Sequence, residues 1–278
     1  MRVADFEPGN GEVGILTRSG SSYASKARGG GRAAVTLLVL VGLATLGAFE
    51  ARARPSEKDA TLRLLVVTVA NGYVHESIPT LSAAIEGLGI ESGLYVVEQA
   101  DTNAALQAKT TAAALEGYDG VVFANTSRAV PVADREAFLA WVNAGGAVIG
   151  IHGASTLEGW PEFTALLGGQ FDHHGEQATV RVHVADGDHL ATGHLESPFE
   201  IHEEMYLYKA FDRSRVHMLL FLDRHPNTGQ PGDYPWAWTR VQGQGRVFHT
   251  GAGHRNDIIE SDWFRAHLLG GIRWALAD

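Results

Sequence analysis

After the first sixty residues, short apolar stretches alternate with segments in which apolar residues recur at helical spacing. Ser77 and Pro79 are typical of the first positions of a helix. An alanine-rich helix is predicted over 102–115, and another begins at Pro131 and ends at the glycine pair that follows it. The stretches between these helices predict buried strands: TLRLLVVTV, GLYVVEQA, YDGVVFANT and AVIGIH.

Strands that are apolar on both faces and separated by helices imply a parallel, doubly wound sheet with helices on both faces. After Gly168 the chain changes to alternating stretches with short connections, which predict additional antiparallel strands. A closing amphipathic helix is predicted from DWFRAHLLGGIRWALA. The expected fold class is therefore α/β, with a mostly parallel sheet, antiparallel strands in the C-terminal half, and a single domain over 60–278.

Residues 1–53 differ in composition from the rest of the chain. The segment 1–32, rich in Gly, Ser and Arg, is predicted to be disordered. The uncharged apolar run 33–49 follows basic residues and precedes small residues spaced as at a cleavage site, which favours a secretory signal cleaved after Ala53. An uncleaved membrane anchor is the alternative. Both interpretations predict an exported domain, periplasmic or extracellular.

Charge and composition narrow the chemistry that the domain can perform. The formal net charge of −10 argues against a nucleic-acid partner, because such a partner selects a basic face. The chain has no cysteine, which excludes thiol catalysis, disulfides and thiolate metal sites. The 13 histidines are then the main source of acid–base and metal-binding groups.

Polar residues follow several of the predicted strands at the point where each strand ends. His75 and Glu76 follow the first strand, Asn125 follows the third, and His152 follows the fourth. His254 follows GRVFHTG in a glycine-rich turn, where the backbone can approach a ligand closely. In open α/β sheets, ligands bind beyond the carboxyl ends of the parallel strands. The three histidines are therefore expected to converge on one crevice.

Two further stretches bring histidines and carboxylates close together in the sequence. In FDHHGE, adjacent histidines on a strand point to opposite faces, so at most one of His173 and His174 faces a site. In FEIHEEMYLY, taken as one strand, alternation places Glu204 and Tyr206 on one face, together with His202, and Glu203 on the other. Six further histidines are assigned to the surface or to packing: His183, His189, His194, His217, His225 and His267.

The chain resembles the ThuA-like (trehalose utilisation) family from about Leu64 to Leu276. The resemblance rests on YVHESIP, YDGVVFANT, FLAWVNAGGAVIGIH, LLGGQFDHH, ATVRVHVADGDH, EEMYLY, PWAWTR, GRVFHTGAGH and HLLGGIRWA, in this order. It implies the flavodoxin-like fold of class I glutamine amidotransferases. In those enzymes the turn after AVIGIH holds the catalytic cysteine, whereas here it holds His152, so glutamine hydrolysis through a thioester is not expected. The resemblance implies instead a role in carbohydrate metabolism.

The strand-end positions and the resemblance together suggest roles for individual residues. Those with a predicted catalytic role are His75, His152, Glu204 and His254. Those predicted to bind substrate are Glu76, Asn125, His174 and Tyr206.

Three functions are compatible with these residues. The first is an enzyme that acts on a glycoside or keto-sugar by acid–base chemistry of histidine and glutamate. The second is a metal-dependent sugar hydrolase or isomerase, in which His152, His174 and His254 hold a divalent ion such as zinc. The third is a non-catalytic sugar-binding module that uses Trp160, Trp236 and Trp238 as stacking platforms. All three expect a small carbohydrate as the partner.

Overall fold

The computed structural model describes residues 61–277. The predicted disordered segment and the signal or anchor within 1–53 lie outside the described residues. The strands are β1 Leu62–Val67, β2 Tyr95–Ala100, β3 Gly120–Ala124, β4 Ala147–Ile151, β5 Gln170–His174, β6 Ala178–Val184, β7 Phe199–Glu203, β8 Tyr206–Lys209, β9 His217–Arg224, β10 Pro231–Gln242 and β11 Gly245–Thr250. The α-helices are α1 Ile78–Ser92, α2 Asn103–Lys109, α3 Ala112–Leu115, α4 Arg135–Asn143, α5 Pro161–Leu167, α6 Asn256–Glu260 and α7 Asp262–Leu276.

Within residues 61–277, nine strands form one sheet in the order β2-β1-β3-β4-β11-β10-β9-β6-β7. The five strands from β2 to β11 are parallel, and the remaining four run antiparallel to their neighbours. β5 and β8 form a separate antiparallel pair. The predicted α/β class, with a parallel half and antiparallel strands in the C-terminal half, is confirmed.

Two hydrophobic clusters cover the two faces of the sheet. Leu64 and Val66 of β1 lie in one cluster with residues of α1 and α7. Leu65 and Val67 lie in the other cluster with residues of α4 and α5. Successive side chains of a strand point to opposite faces, so a strand whose neighbouring residues are all apolar must be covered on both. This is why the uninterrupted apolar pattern predicted the doubly wound arrangement correctly.

Two helices differ from the prediction because side chains end or begin them locally. The predicted helix 102–115 is two helices, since the hydroxyl of Thr111 accepts a hydrogen bond from the amide of Ala114 and starts α3 anew. The helix predicted from Pro131 begins instead at Arg135, because Asp134 caps it. At His152 the chain forms a 3₁₀ helix, His152–Thr156.

Two strands also differ from the prediction, and both differences shape the site. β11 was expected to be an additional antiparallel strand, but it pairs in parallel with β4. Its carboxyl end therefore lies beside the ends of β3 and β4. The stretch FEIHEEMYLY is not one strand: it forms β7 in the large sheet and β8 in the small one. Of the helices within residues 61–277, none combines the length and apolar character needed to cross a membrane.

Candidate functional site

Three histidines meet at the carboxyl edge of the parallel strands. His75 lies in the connection after β1, His152 directly after β4, and His254 after β11. The ring centroid of His75 lies 4.9 Å from that of His152 and 5.3 Å from that of His254, and the rings of His152 and His254 are 5.3 Å apart. The structure thus brings together the histidines that the strand ends indicated, while their roles stay a prediction.

His152 is held in place by backbone groups on either side of it. Its φ of 43° lies in the left-handed region, which few residues other than glycine adopt without strain. Its Nδ1 lies 2.8 Å from the carbonyl oxygen of Gly251. Because a carbonyl can only accept, Nδ1 donates to it, and Nε2 is the nitrogen left to face the cluster. That Nε2 is buried and lies 3.4 Å from Oε2 of Glu204.

The carboxylate of Glu204 lies at the centre of the histidines. Its Oε2 is 3.4 Å from Nε2 of His152 and 3.2 Å from Nδ1 of His254, while Oε1 is 3.2 Å from Nδ1 of His174. Burial alone would raise the pKa of Glu204, but His152 and His254 outweigh it and hold the pKa well below the usual range. Glu204 is therefore a carboxylate throughout the physiological pH range.

The histidines around this carboxylate differ in their preference for a proton. Burial lowers the pKa of His75 to about 3, and the neighbouring imidazoles of His152 and His254 add to this effect. Burial also opposes the charge on His254, but the proximity of Glu204 outweighs burial and raises the pKa of His254. One site thus contains an imidazole kept neutral and another that favours its proton, which is an arrangement suited to acid–base chemistry.

Several nitrogens of the cluster lack a hydrogen-bond partner although they are buried. These are Nδ1 of His75, Nε2 of His152 and Nδ1 of His254. The last two lie close to Glu204, but at angles that do not form hydrogen bonds. Together with the Glu204 carboxylate, the three histidines offer donor atoms that all lie within 4.8 Å of one another. This set could hold a metal ion, and it differs from the predicted set by containing His75 and Glu204 and not His174.

A cavity of about 450 Å³ opens onto this cluster. Among the predicted site residues, His75, His174, Glu204 and Tyr206 line it, whereas His152 lies behind them. The volume falls in the usual range for small-ligand sites, roughly 300–1,000 Å³. Acidic, basic and aromatic groups share the remaining wall: Tyr73, Arg128, Glu158, Phe171, Asp172 and Lys209.

Tyr206 connects the cavity wall with the histidines. Its ring lies 3.9 Å from that of His152 and 4.4 Å from that of Phe171, measured between centroids. Its hydroxyl is 3.3 Å from Nε2 of His75. Burial raises the pKa of Tyr206 far above its usual range, so the hydroxyl keeps its proton. The phenol can therefore donate a hydrogen bond at the inner end of the cavity.

Of the two histidines in FDHHGE, His174 lines the cavity and His173 is exposed and pairs with Asp172. The prediction that at most one of them faces the site agrees with this placement. The side chain of His174 is 41% exposed. Among the histidines that contact Glu204, it is thus the one most accessible to a ligand.

Alternation was predicted to place Glu203 and Glu204 on opposite faces of one strand. This prediction is wrong, because both side chains are buried. β7 ends at Glu203, and the chain then turns, so Glu204 and Met205 are also buried and the alternation stops. Glu203 is fully buried and accepts hydrogen bonds from the amides of Glu204 and Gly253. Burial raises the pKa of Glu203. His202, predicted on the face of Glu204, is exposed.

Asn125 ties the connections of the site together. Its Nδ2 donates to Oγ of Ser77 and to the carbonyl of Gly253, and its Oδ1 accepts from the amide of Gly153. Asn125 is fully buried and is not part of the cavity wall, so its hydrogen bonds hold the connections that carry the histidines. Ser77, predicted to cap α1, donates instead to the carbonyl of Gly253. Glu76 is exposed and lies outside the cavity wall.

The three tryptophans proposed as stacking platforms are at most 3% exposed. Trp160, Trp236 and Trp238 pack inside the protein, and Nε1 of Trp238 donates to the carbonyl of Leu167. The sugar-stacking interpretation of these residues is therefore wrong. Sequence reasoning missed Tyr73 and Phe171, the aromatic residues that do line the cavity. Their positions close to His75 and His174 in the sequence were the available signal.

The profile of the ThuA family, described as trehalose utilisation, matches residues 63–275. This chain belongs to the ThuA family. Its fold is similar to a ThuA-like protein from Bacteroides uniformis, with a TM-score of 0.65, 21% identity, and coverage of 80% of this chain and 95% of that one. A ThuA-like protein from Parabacteroides merdae gives a TM-score of 0.64 at 20% identity, with 78% and 90% coverage.

A cytoplasmic protein from Salmonella typhimurium is also similar, with a TM-score of 0.55, 12% identity, and coverage of 77% of this chain and 99% of that one. No curated protein shows significant sequence similarity to this ThuA-family chain. At these identities the solved structures establish a shared fold and nothing about the reaction.

Proposed function

We propose that this ThuA-family protein is an enzyme that acts on a glycoside or keto-sugar related to trehalose, at the cavity above Glu204. The observation that supports this function is the convergence of three histidines and one carboxylate at a cavity large enough for a sugar. The family description, trehalose utilisation, favours a carbohydrate as the substrate. The absence of cysteine from the chain excludes the thioester route of the amidotransferases.

The cavity wall contains the groups that sugar recognition requires. Carbohydrates present hydroxyl groups at their edges and apolar C–H groups on their faces. Tyr73 and Phe171 offer aromatic surface for those faces, while Glu158 and Lys209 offer polar groups to the hydroxyls.

The reaction requires a proton to move to or from a sugar oxygen or an adjacent carbon. Glu204 and His174 both line the cavity and contact each other through Oε1 and Nδ1, at 3.2 Å. We assign the exchange of that proton to this pair, with the Tyr206 hydroxyl donating a hydrogen bond to the sugar oxygen. His152 lies behind Glu204 and acts through it. Such chemistry suits hydrolysis, elimination or isomerisation of a keto-sugar glycoside.

The test is turnover of trehalose and of its oxidised, keto derivatives, followed by chromatography of the products. Glu204→Gln is expected to lower kcat/KM by about 10²–10³, the range for a lost acid–base group. Glu200→Gln is the matched control, because Glu200 lies on the same segment with an exposed side chain, and its activity is expected to stay at the wild-type level. Equal activity of Glu204→Gln and wild type would overturn the assignment.

A further inference from the structure

Two distances between donor atoms of the histidine cluster match the spacing of a metal coordination shell. Oε2 of Glu204 lies 3.4 Å from Nε2 of His152 and 3.2 Å from Nδ1 of His254. Bonds of roughly 2.0–2.1 Å from zinc to nitrogen and oxygen place neighbouring ligands of a tetrahedral shell about 3.3 Å apart. His75 contributes a fourth donor, and the donors of all four residues lie within 4.8 Å of one another.

The orientation of the rings agrees with a shared centre. The planes of His75 and His152 are inclined by 84°, those of His75 and His254 by 84°, and those of His152 and His254 by 66°. Imidazoles that bind one ion approach it from different directions, whereas stacked imidazoles do not. The Nδ1–H of His152 is bonded to the carbonyl of Gly251, which is the type of outer partner that orients a metal-binding histidine.

Buried nitrogens of the cluster lack a hydrogen-bond partner. His75 is 3% exposed and His152 is fully buried, yet Nδ1 of His75 and Nε2 of His152 are unpaired. Buried polar atoms are nearly always paired, so two unpaired ones on adjacent rings need an explanation. A bound cation would explain the unpaired nitrogens, because it accepts the electron pair of each one.

We propose that His75, His152, His254 and Glu204 bind a divalent transition-metal ion of the zinc class, and that the ion serves the sugar chemistry proposed above. This role, unlike the binding itself, rests on the proposed function. Three imidazoles and one carboxylate suit zinc and similar ions, whereas magnesium and calcium prefer shells of oxygen. The cavity wall at His75 and Glu204 gives the ion access from solvent.

The structure separates this set of ligands from the set expected from the sequence, which contained His174. His174 is 41% exposed, and its Nδ1 contacts the carbonyl of Gly175 and Oε1 of Glu204, on the side away from His152. His75, which the sequence left out of the metal set, occupies the inner position. The two sets therefore predict opposite results for variants at His75 and His174.

The experiment measures zinc in the purified full chain by elemental analysis and titrates Zn²⁺ into chelator-treated protein by calorimetry, without any sugar. About one zinc per chain is expected, with Mg²⁺ giving no heat. His75→Ala and the nearly isosteric Glu204→Gln are expected to weaken Zn²⁺ binding at least 10-fold. His174→Ala is expected to bind as the wild type does. Circular dichroism of each variant shows that a lost ion does not reflect a lost fold.

Wild-type protein that binds no zinc would overturn the inference, as would loss of zinc in His174→Ala with retention in His75→Ala. Substitution with Co²⁺ gives an independent measurement, because its visible spectrum reports nitrogen and oxygen ligation and should change in His75→Ala and Glu204→Gln but not in His174→Ala. Binding and turnover fail separately. Zinc binding without sugar turnover supports the site and counts against the proposed function, whereas turnover by zinc-free protein supports the proposed function and counts against a role of the ion in it.

Discussion

Two fully buried histidines in this protein have opposite surroundings. His267, in the middle of α7, has Nδ1 2.8 Å from the carbonyl of Ala191 and Nε2 3.1 Å from the hydroxyl of Thr250. His152, at the end of β4, has Nδ1 bonded to the carbonyl of Gly251, but its Nε2 has no hydrogen-bond partner and faces the cavity cluster.

The difference shows that burial alone does not distinguish a functional histidine. Both rings are removed from water, and both pay for desolvation. In His267 hydrogen bonds to both ring nitrogens offset that cost, so the residue needs no ligand. His152 keeps one nitrogen available, and it does so with a backbone φ of 43°. A strained backbone together with an unsatisfied buried nitrogen marks the residue that a ligand completes.

Replacement of His152 by alanine gives the largest expected effect and tests this contrast directly. We expect kcat/KM on the sugar substrate to fall by about 10³, because His152 acts through Glu204, 3.4 Å away, and its loss disables that acid–base group. The fold should be retained, because the ring has only one hydrogen bond to the rest of the protein. Turnover assays combined with urea denaturation check both statements. Activity within a factor of ten of wild type would place His152 in the same structural class as His267.

The two adjacent glutamates sharpen the comparison on the carboxylate side of the cluster. Glu204→Gln is expected to lower kcat/KM by about 10²–10³. Glu203→Gln is expected to cost about tenfold, because Glu203 only positions its neighbours, through the amides of Gly253 and Glu204. Both substitutions are nearly isosteric, so steady-state kinetics on the two variants compares charge alone. A larger loss at Glu203 would reverse their roles.

The strands of the parallel half could be predicted from sequence because they are apolar on both faces. The direction of β11 could not, because an isolated alternating strand fits a parallel or an antiparallel partner equally well. The split of FEIHEEMYLY was also missed. Glu203 has the polarity of a surface residue but is buried by its bonds to Gly253 and Glu204, and no local pattern encodes a contact fifty residues away.

The candidate site was only partly predictable for a related reason. His75, His152 and His254 follow strands, and the general location of ligand sites in α/β sheets indicated them. Which nitrogen of each ring faces the centre depends on partners such as Gly251 and Tyr206, which come from distant parts of the chain. The sequence therefore predicted the convergence of the histidines, whereas the grouping of His75 with the donors of His152, His254 and Glu204 comes from the structure.

Substitution of His267 by glutamine tests the structural side of the comparison. Glutamine can satisfy one of the two partners, so the carbonyl of Ala191 or the hydroxyl of Thr250 is left unpaired in the interior. The free energy of unfolding is expected to fall by about 2 kcal/mol, which is a typical cost of one unsatisfied buried group. Activity of the folded variant should stay within a factor of two of wild type. Urea denaturation and turnover assays measure the two quantities, and a large loss of activity without loss of stability would contradict the assignment.

The smallest expected effect is a pH dependence of stability that His267 alone contributes. Burial lowers the pKa of His267 to about 4, whereas in the unfolded chain the pKa of a histidine is about 6.5. Between these values the unfolded state binds the proton and the folded state does not, so stability decreases as the pH falls through that window. Above pH 6.5 the contribution is fully present.

From pH 7.5 to 5.5, wild type should therefore lose about 1 kcal/mol more than His267→Gln, measured as the difference in the free energy of unfolding at each pH. Other histidines with lowered pKa values, such as His249, titrate in both proteins and cancel in that difference. Parallel pH profiles would show that the buried imidazole of His267 accepts a proton as readily as an exposed one. His267 would then not be the neutral structural residue with which His152 is compared.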